Sequence, residues 1–300
     1  MASSELTAYQ VPDTDQIFYF HPEWHTWLTE RKILYSASFN RMLRDLMRDN
    51  QTRPLLPEMG LWFAAFADDP RHIRVVIIGQ DPYPTQEEID GVMKNMATGY
   101  SFEVAKGFAL APSLKTIYKA IVAQKAGDQE RIDFAKGDLS FWRNQGVFLF
   151  NKALTIGEKR PTRVTEDGKR VEKMLPKSYL HKWSFFNRKV VELLSDKLQA
   201  AVFMIWGAKA LNLVKYIDGE KHKILKSYHP SDQGEAAGEH QTKKASVAGK
   251  SLELDQFSKA NHFNCANAFL LEKERGQAID WSTSCKNDVS QKACIDAEAP

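Results

Sequence analysis

Cysteine is scarce: the 300-residue chain has three, Cys265, Cys285 and Cys294, all in its last fifth. None belongs to a CxxC pair or to a Cys/His cluster with zinc-ligand spacing, which argues against a disulfide framework or a structural zinc site. Ordinary reduced thiols in an intracellular setting, cytoplasm or nucleus, are the expectation. The first 16 residues lack the basic stretch and following apolar run of a signal peptide. No apolar run approaches the roughly 20 residues needed to span a bilayer, so a membrane is not expected among the partners. Neither sign of charge dominates, since 41 Lys and Arg against 38 Asp and Glu leave +3. The overall balance therefore does not announce a nucleic-acid binder. G-x-G-x-x-G and P-loop motifs are absent too, which removes the common nucleotide-cofactor enzymes.

What is present is an ordinary globular composition, 43% apolar and 26% charged, long enough to bury a core without staples. Residues 1–15 read as a polar arm. Residues 24–50 carry apolar positions at helical spacing, and Leu61 to Phe66 read as a short buried helix. Four strands are expected, at Ile73–Ile78, Val147–Phe150, Ala201–Ile205 and Lys223–Leu225. The middle members are nearly continuous apolar runs, as in strands covered on both faces. Helix-period stretches separate them, Ser113 to Gln124, Ser178 to Leu194 and Ala208 to Lys215. This alternation predicts an α/β fold, a single-domain α/β/α sandwich around a four-stranded parallel sheet. Residues 157–177, basic, and 232–260, rich in Gly, Ala, Ser and Lys, read as insertions, and the stretch after Trp281 reads as a disordered tail. The domain itself is expected over residues 16–281.

The chemistry is concentrated where the strands end. The first runs into Gly79-Gln80-Asp81-Pro82-Tyr83-Pro84, the second ends at Asn151, the third at Trp206-Gly207, and the fourth runs into Ser227-Tyr228-His229-Pro230-Ser231. Open parallel sheets bind ligands outside the carboxyl ends of their strands. A carboxylate, an amide and an imidazole at three such ends suit the reading and cutting of a small polar ring. Taken singly, Asp81 could be a turn former, Asn151 a helix cap and His229 a loop residue.

Seven segments, in order, resemble family 1 uracil-DNA glycosylases over residues 24–281. Gly79-Gln80-Asp81-Pro82-Tyr83 resembles the water-activating loop, Gly99-Tyr100-Ser101-Phe102 the uracil-stacking segment, and Pro112-Ser113-Leu114-Lys115-Thr116-Ile117-Tyr118 the proline-rich loop and its helix. Gly146 to Asn151 with Leu154-Thr155 resembles the uracil-reading strand, Trp206-Gly207-Ala208 the third strand end, and His229-Pro230-Ser231 the DNA-intercalation loop. His262-Phe263, Asn267 and Ile279-Asp280-Trp281 resemble the closing segment.

The resemblance implies a monomeric enzyme on single- or double-stranded uracil-containing DNA, with no metal or organic cofactor. By the same resemblance, Asp81 positions water and stabilises the sugar cation, and neutral His229 donates to uracil O2, helped by backbone N–H groups at Gln80 and Asp81. Asn151 reads the uracil edge, Phe102 stacks on the ring, and Tyr83 excludes the thymine methyl. Pro84, Pro112, Ser113, Ser231 and Gln233 are the expected DNA contacts, with the basic stretches 157–177 and 209–226 adding electrostatic affinity. Two positions depart from the pattern. Pro84 replaces a histidine, and Gln233 stands where the family has a wedging leucine. Flipping from duplex DNA is therefore expected to suffer more than the chemistry. The alternative reading is a DNA-binding scaffold with the same fold, serving a replication complex; replication or repair proteins are expected partners in either case.

Overall fold

The computed structural model describes residues 5–159, 163–164, 170–171, 175–231, 234, 245–247, 250–252 and 254–284. Gln233 and the residues after 284 lie outside this set, as does much of both expected insertions. Chain contacts divide the protein into two compact units.

The first unit is built from Met1–Pro70, Gln80–Ser101 and Asn151–Leu193. Within the stretch read as a polar arm, Thr7–Gln10 pairs antiparallel with Ile17–Phe20, and Tyr9 is fully buried. The stretch 24–50 forms two helices rather than one, Pro22–Glu30 and Ala37–Thr52. Local chemistry makes the break. Lys32 and Tyr35 take left-handed backbone angles, and the Ser36 hydroxyl then accepts from the Phe39 N–H at 3.2 Å, starting the second helix afresh. Leu61 to Phe66, expected as one short helix, is split between two 3-10 turns, Met59–Leu61 and Ala64–Ala67. They deliver Trp62, Phe63 and Phe66 to an aromatic core that includes Phe18, Trp183 and Phe186. Edge-to-face pairs dominate, for example Phe18 and Phe63 with centroids 4.9 Å apart. Trp183 and Phe186 come from the helix Leu180–Lys197, which begins two residues later than the period suggested.

The second unit is built from Arg71–Gly79, Phe102–Phe150 and Leu194–Pro300. It holds the four-stranded all-parallel sheet that the sequence predicts. Its strands are β1 (Val75–Gly79), β2 (Val147–Asn151), β3 (Val202–Trp206) and β4 (Lys223–Ser227), in the spatial order β4-β3-β1-β2. Parallel registers pair Val202 with Val75 and with Lys223. All residues of β1, β2 and β3 are buried, which is why they read as unbroken apolar runs. The stretch Ala208 to Lys215, expected as a helix, is a 3-10 segment at Leu211–Tyr216. The helices Pro112–Gln124 and His262–Glu272 bring Tyr118 and Phe263 to a second aromatic cluster with Trp142, Trp206 and Trp281. No helix among the described residues is long and apolar enough to cross a membrane.

Candidate active site

The candidate residues fall into two groups, each ordered by its own unit. In the first unit, the chain leaves β1 at Gly79 and enters Gln80 and Asp81. The Asp81 carboxylate is held from both sides. The Gln80 amide donates to Oδ2 at 2.7 Å, and the Ser178 hydroxyl donates to Oδ1 at 2.6 Å. The Gln80 carbonyl accepts from the Ala153 N–H at 2.8 Å, which ties this loop to the segment following Asn151. Asn151 ends β2 and is 3% exposed. Its neighbours are fixed in turn. The Asn187 amide donates to the Lys152 carbonyl, and the Trp183 indole donates to the buried Thr155 hydroxyl at 2.8 Å. Part of Tyr83 remains accessible, yet burial of its phenol pushes the pKa upward, so the group is neutral. Pro84 follows it, half-buried.

Ser178 was not singled out from the sequence, where it only opened a helix-period stretch. It lies 97 positions from Asp81. Ser178 pairs with Ile156 across a short antiparallel ladder, Ile156–Gly157 against Lys177–Ser178. The strand Lys177–Ser178 thus supplies a donor to Asp81. No local pattern could have revealed that.

In the second unit, Phe102, Trp206, His229 and His262 form one chain of ring contacts. Phe102 adopts φ 65° although it is not glycine. Such backbone costs on the order of 1 kcal/mol or more and persists where the surroundings over-determine it. Its ring centroid lies 5.3 Å from Trp206 and 5.7 Å from His229. His229 follows β4, with Gly207 beside it. A side chain at Gly207, whose φ is +99°, would bring its Cβ within 3.2 Å of the His229 Cβ, so glycine is required there on two grounds. Desolvation, followed by the Lys209 charge, pulls the His229 pKa down to about 4. The imidazole is neutral at physiological pH.

Trp206 is held from behind. Its indole N–H donates to His262 Nδ1 at 2.9 Å, and the two rings are nearly parallel, at 12°. His262 is 5% exposed, and burial pulls it too down to about 4. The closing segment is tied by a reciprocal pair, Asn267 donating to the Ile279 carbonyl and accepting from the Ile279 N–H, both at 2.9 Å. Pro112 and Ser113 open the helix Pro112–Gln124, with Ala111 as its cap residue. The Ser231 hydroxyl accepts from the Gly234 N–H at 3.3 Å. Among the described residues no group of three or more His, Cys, Asp or Glu is arranged to hold a metal ion.

A family model described as the uracil DNA glycosylase superfamily matches residues 66–249, a span that contains Asp81, Asn151, Phe102 and His229. The chain belongs to the uracil-DNA glycosylase superfamily. The uracil-DNA glycosylase of Epstein-Barr virus is 35% identical over 227 residues, 75% of this chain and 72% of the relative. That of Campylobacter concisus is 30% identical over 266 residues, 88% of this chain and 95% of the relative. The solved structure of mimivirus uracil-DNA glycosylase superposes with a TM-score of 0.68 at 25% identity, covering 87% of each chain.

Proposed function

We propose that this member of the superfamily is a DNA N-glycosylase, a hydrolase that flips deoxyuridine out of DNA and cuts its N-glycosidic bond. Free uracil and an abasic site are the products. The observation that carries the reading is the Asp81 carboxylate, oriented by Gln80 and Ser178 at the end of a buried strand. A scaffold that only bound DNA would have no use for it.

A stacked base is out of reach, so the nucleotide must leave the helix first. Bond cleavage then builds positive charge on the sugar and negative charge on the departing base. Asp81 serves the first charge and positions the attacking water. His229 serves the second, donating to uracil O2. A neutral imidazole suits that task because its hydrogen bond strengthens as the oxygen gains charge, and one preorganised donor of this kind is worth roughly 3–4 kcal/mol. The pKa of about 4 supports the neutral form. Backbone N–H groups at Gln80 and Asp81 reach the same oxygen.

The amide of Asn151 can accept from uracil N3–H and donate to O4. Cytosine reverses both partners and leaves buried polar groups unpaired, a strong penalty. Phe102 stacks on the ring, and its strained backbone supports a functional rather than a packing role. Tyr83 stands against C5 and rejects the thymine methyl. Ser113 and Ser231 donate to phosphates, and Pro112 lies against the DNA beside Ser113. Pro84 supplies no N–H and no imidazole, so extrahelical capture from duplex DNA is weakened more than bond cleavage.

A labelled oligonucleotide with one uracil, incubated in EDTA and then treated with hot alkali, tests the reading. Cleavage is expected at uracil and not at thymine or cytosine, and faster in single strands than in duplexes. Folded, DNA-binding protein that leaves every uracil intact would replace the enzyme reading with the scaffold. Equal rates on both strand forms would remove only the role given to Pro84.

A further inference from the structure

At the leading edge of the sheet, the second unit holds a cavity of about 410 Å³. Arg71 and Arg74 line it just before β1, Asn144 just before β2, and Arg275 and Gln277 after the helix His262–Glu272. The strands β1 and β2 run away from this edge to hand on to Asp81 and past Asn151. Their length, about 15 Å at roughly 3.3 Å per residue, separates the cavity from the carboxyl ends where the family chemistry sits. None of the described residues lining it is acidic.

Its arginines do different work. Arg74 is a fastener: Nε and Nη2 donate to the Gln145 carbonyl at 3.0 and 2.7 Å, and Nη1 donates to the carbonyls of Arg275, at 3.2 Å, and Gln277. Its charge remains. Arg275 makes one long contact, 3.4 Å to Gln199 Oε1, and its buried Nε has no partner. Burial, and then the charge of Arg275, lower the pKa of Arg74, so the two cations feel each other. Like charges held together, with a buried donor unused, favour an anion that accepts from the guanidinium fork. Several cations around one space suit a phosphoryl group better than a single carboxylate. The cavity is several times larger than a phosphoryl group and falls in the range of small-molecule sites, roughly 300–1,000 Å³. The amides of Asn144 and Gln277 offer donors and acceptors to the rest of such a ligand.

We propose that this cavity binds a phosphate-bearing ligand of mononucleotide size, with Arg275 and Arg71 on the phosphate. The inference does not rest on uracil excision. The phosphate could belong to a free nucleotide or to the backbone of a nucleic acid, and the test separates these sources. The intact protein is titrated calorimetrically with inorganic phosphate, with deoxyadenosine monophosphate and with a uracil-free 12-nucleotide strand, as wild type, Arg275→Gln and Arg71→Gln. Both variants keep the backbone carbonyls that Arg74 uses, and an unchanged thermal unfolding midpoint reports an intact fold. Phosphate and the mononucleotide are expected to bind the wild type and to lose at least fivefold in Kd in each variant. If a free nucleotide is the ligand, the 12-mer binds all three proteins alike. If backbone phosphate is the ligand, the 12-mer weakens in the same variants and its salt dependence becomes shallower. No binding to the wild type, or equal Kd values in all three proteins for both small probes, overturns the proposal.

Discussion

Asp81 and His229, one in each unit, are prepared in opposite ways. Asp81 is surrounded by donors, an amide on one oxygen and a hydroxyl on the other. His229 lies against the Phe102 ring, and burial keeps it uncharged. A charge is oriented in one unit and prevented in the other. In the proposed reaction the two groups follow different electrostatic strategies: Asp81, proposed to meet a cation, is kept polar, and His229, proposed to meet a growing anion, is kept neutral.

The first way to break the comparison is through Asn151, the amide proposed to read the base. Asn151→Asp removes the donor to O4, and uracil excision is expected to fall about a thousandfold, with cytosine becoming the better competitor. Side-by-side single-turnover rates on uracil and cytosine strands check it. Tyr83→Ala should leave uracil excision within about tenfold while admitting thymine, reducing discrimination about a hundredfold. A variant that still ignores thymine would mean that the methyl is rejected elsewhere. Ser178→Ala removes one of the two donors to Asp81. The expected loss is about tenfold in kcat at unchanged KM, in line with a hydrogen bond to a charged group. Ser178→Thr, which keeps the hydroxyl, should restore most of it. A rise in KM alone would make Ser178 a binding residue instead.

The last effect concerns the ring-lined unit and pH, and it is read in stability rather than in rate. His262 takes a proton near pH 6.5 when unfolded and near 4 when folded. The unfolded state therefore binds more protons between those values, and stability falls as pH drops through that window. The loss from His262 reaches about 2 kcal/mol at pH 5. Denaturant midpoints at pH 7 and 5, for wild type and His262→Gln, measure it, and the variant should lose less on acidification. Identical acid sensitivity would show that His262 does not titrate there.

Much of this was legible in the chain. The four strands appear because β1, β2 and β3 are buried on both faces, and such strands write themselves as apolar runs. Asp81, Asn151 and His229 draw notice in the chain because each stands where one of these strands ends. Helix boundaries were less legible. The break between Pro22–Glu30 and Ala37–Thr52 depends on left-handed backbone at Lys32 and Tyr35, residues with no strong preference for it. The donor on Asp81 was not legible at all, since Ser178 reaches it through tertiary pairing. The clasp of His262 on Trp206 spans 56 positions and carries no local signal either, although both residues stood inside recognised motifs.

The most direct test of the paired preparation is single-turnover uracil release at pH 5.5 and pH 7.5 by wild type, Asp81→Asn and His229→Gln. Each variant should lose at least a hundredfold while remaining folded. The His229 contribution, measured as the ratio of wild type to His229→Gln, should be the same at both pH values, because the imidazole stays neutral down to about 4. A variant at the wild-type rate, or a His229 contribution that collapses at pH 5.5, would contradict the account.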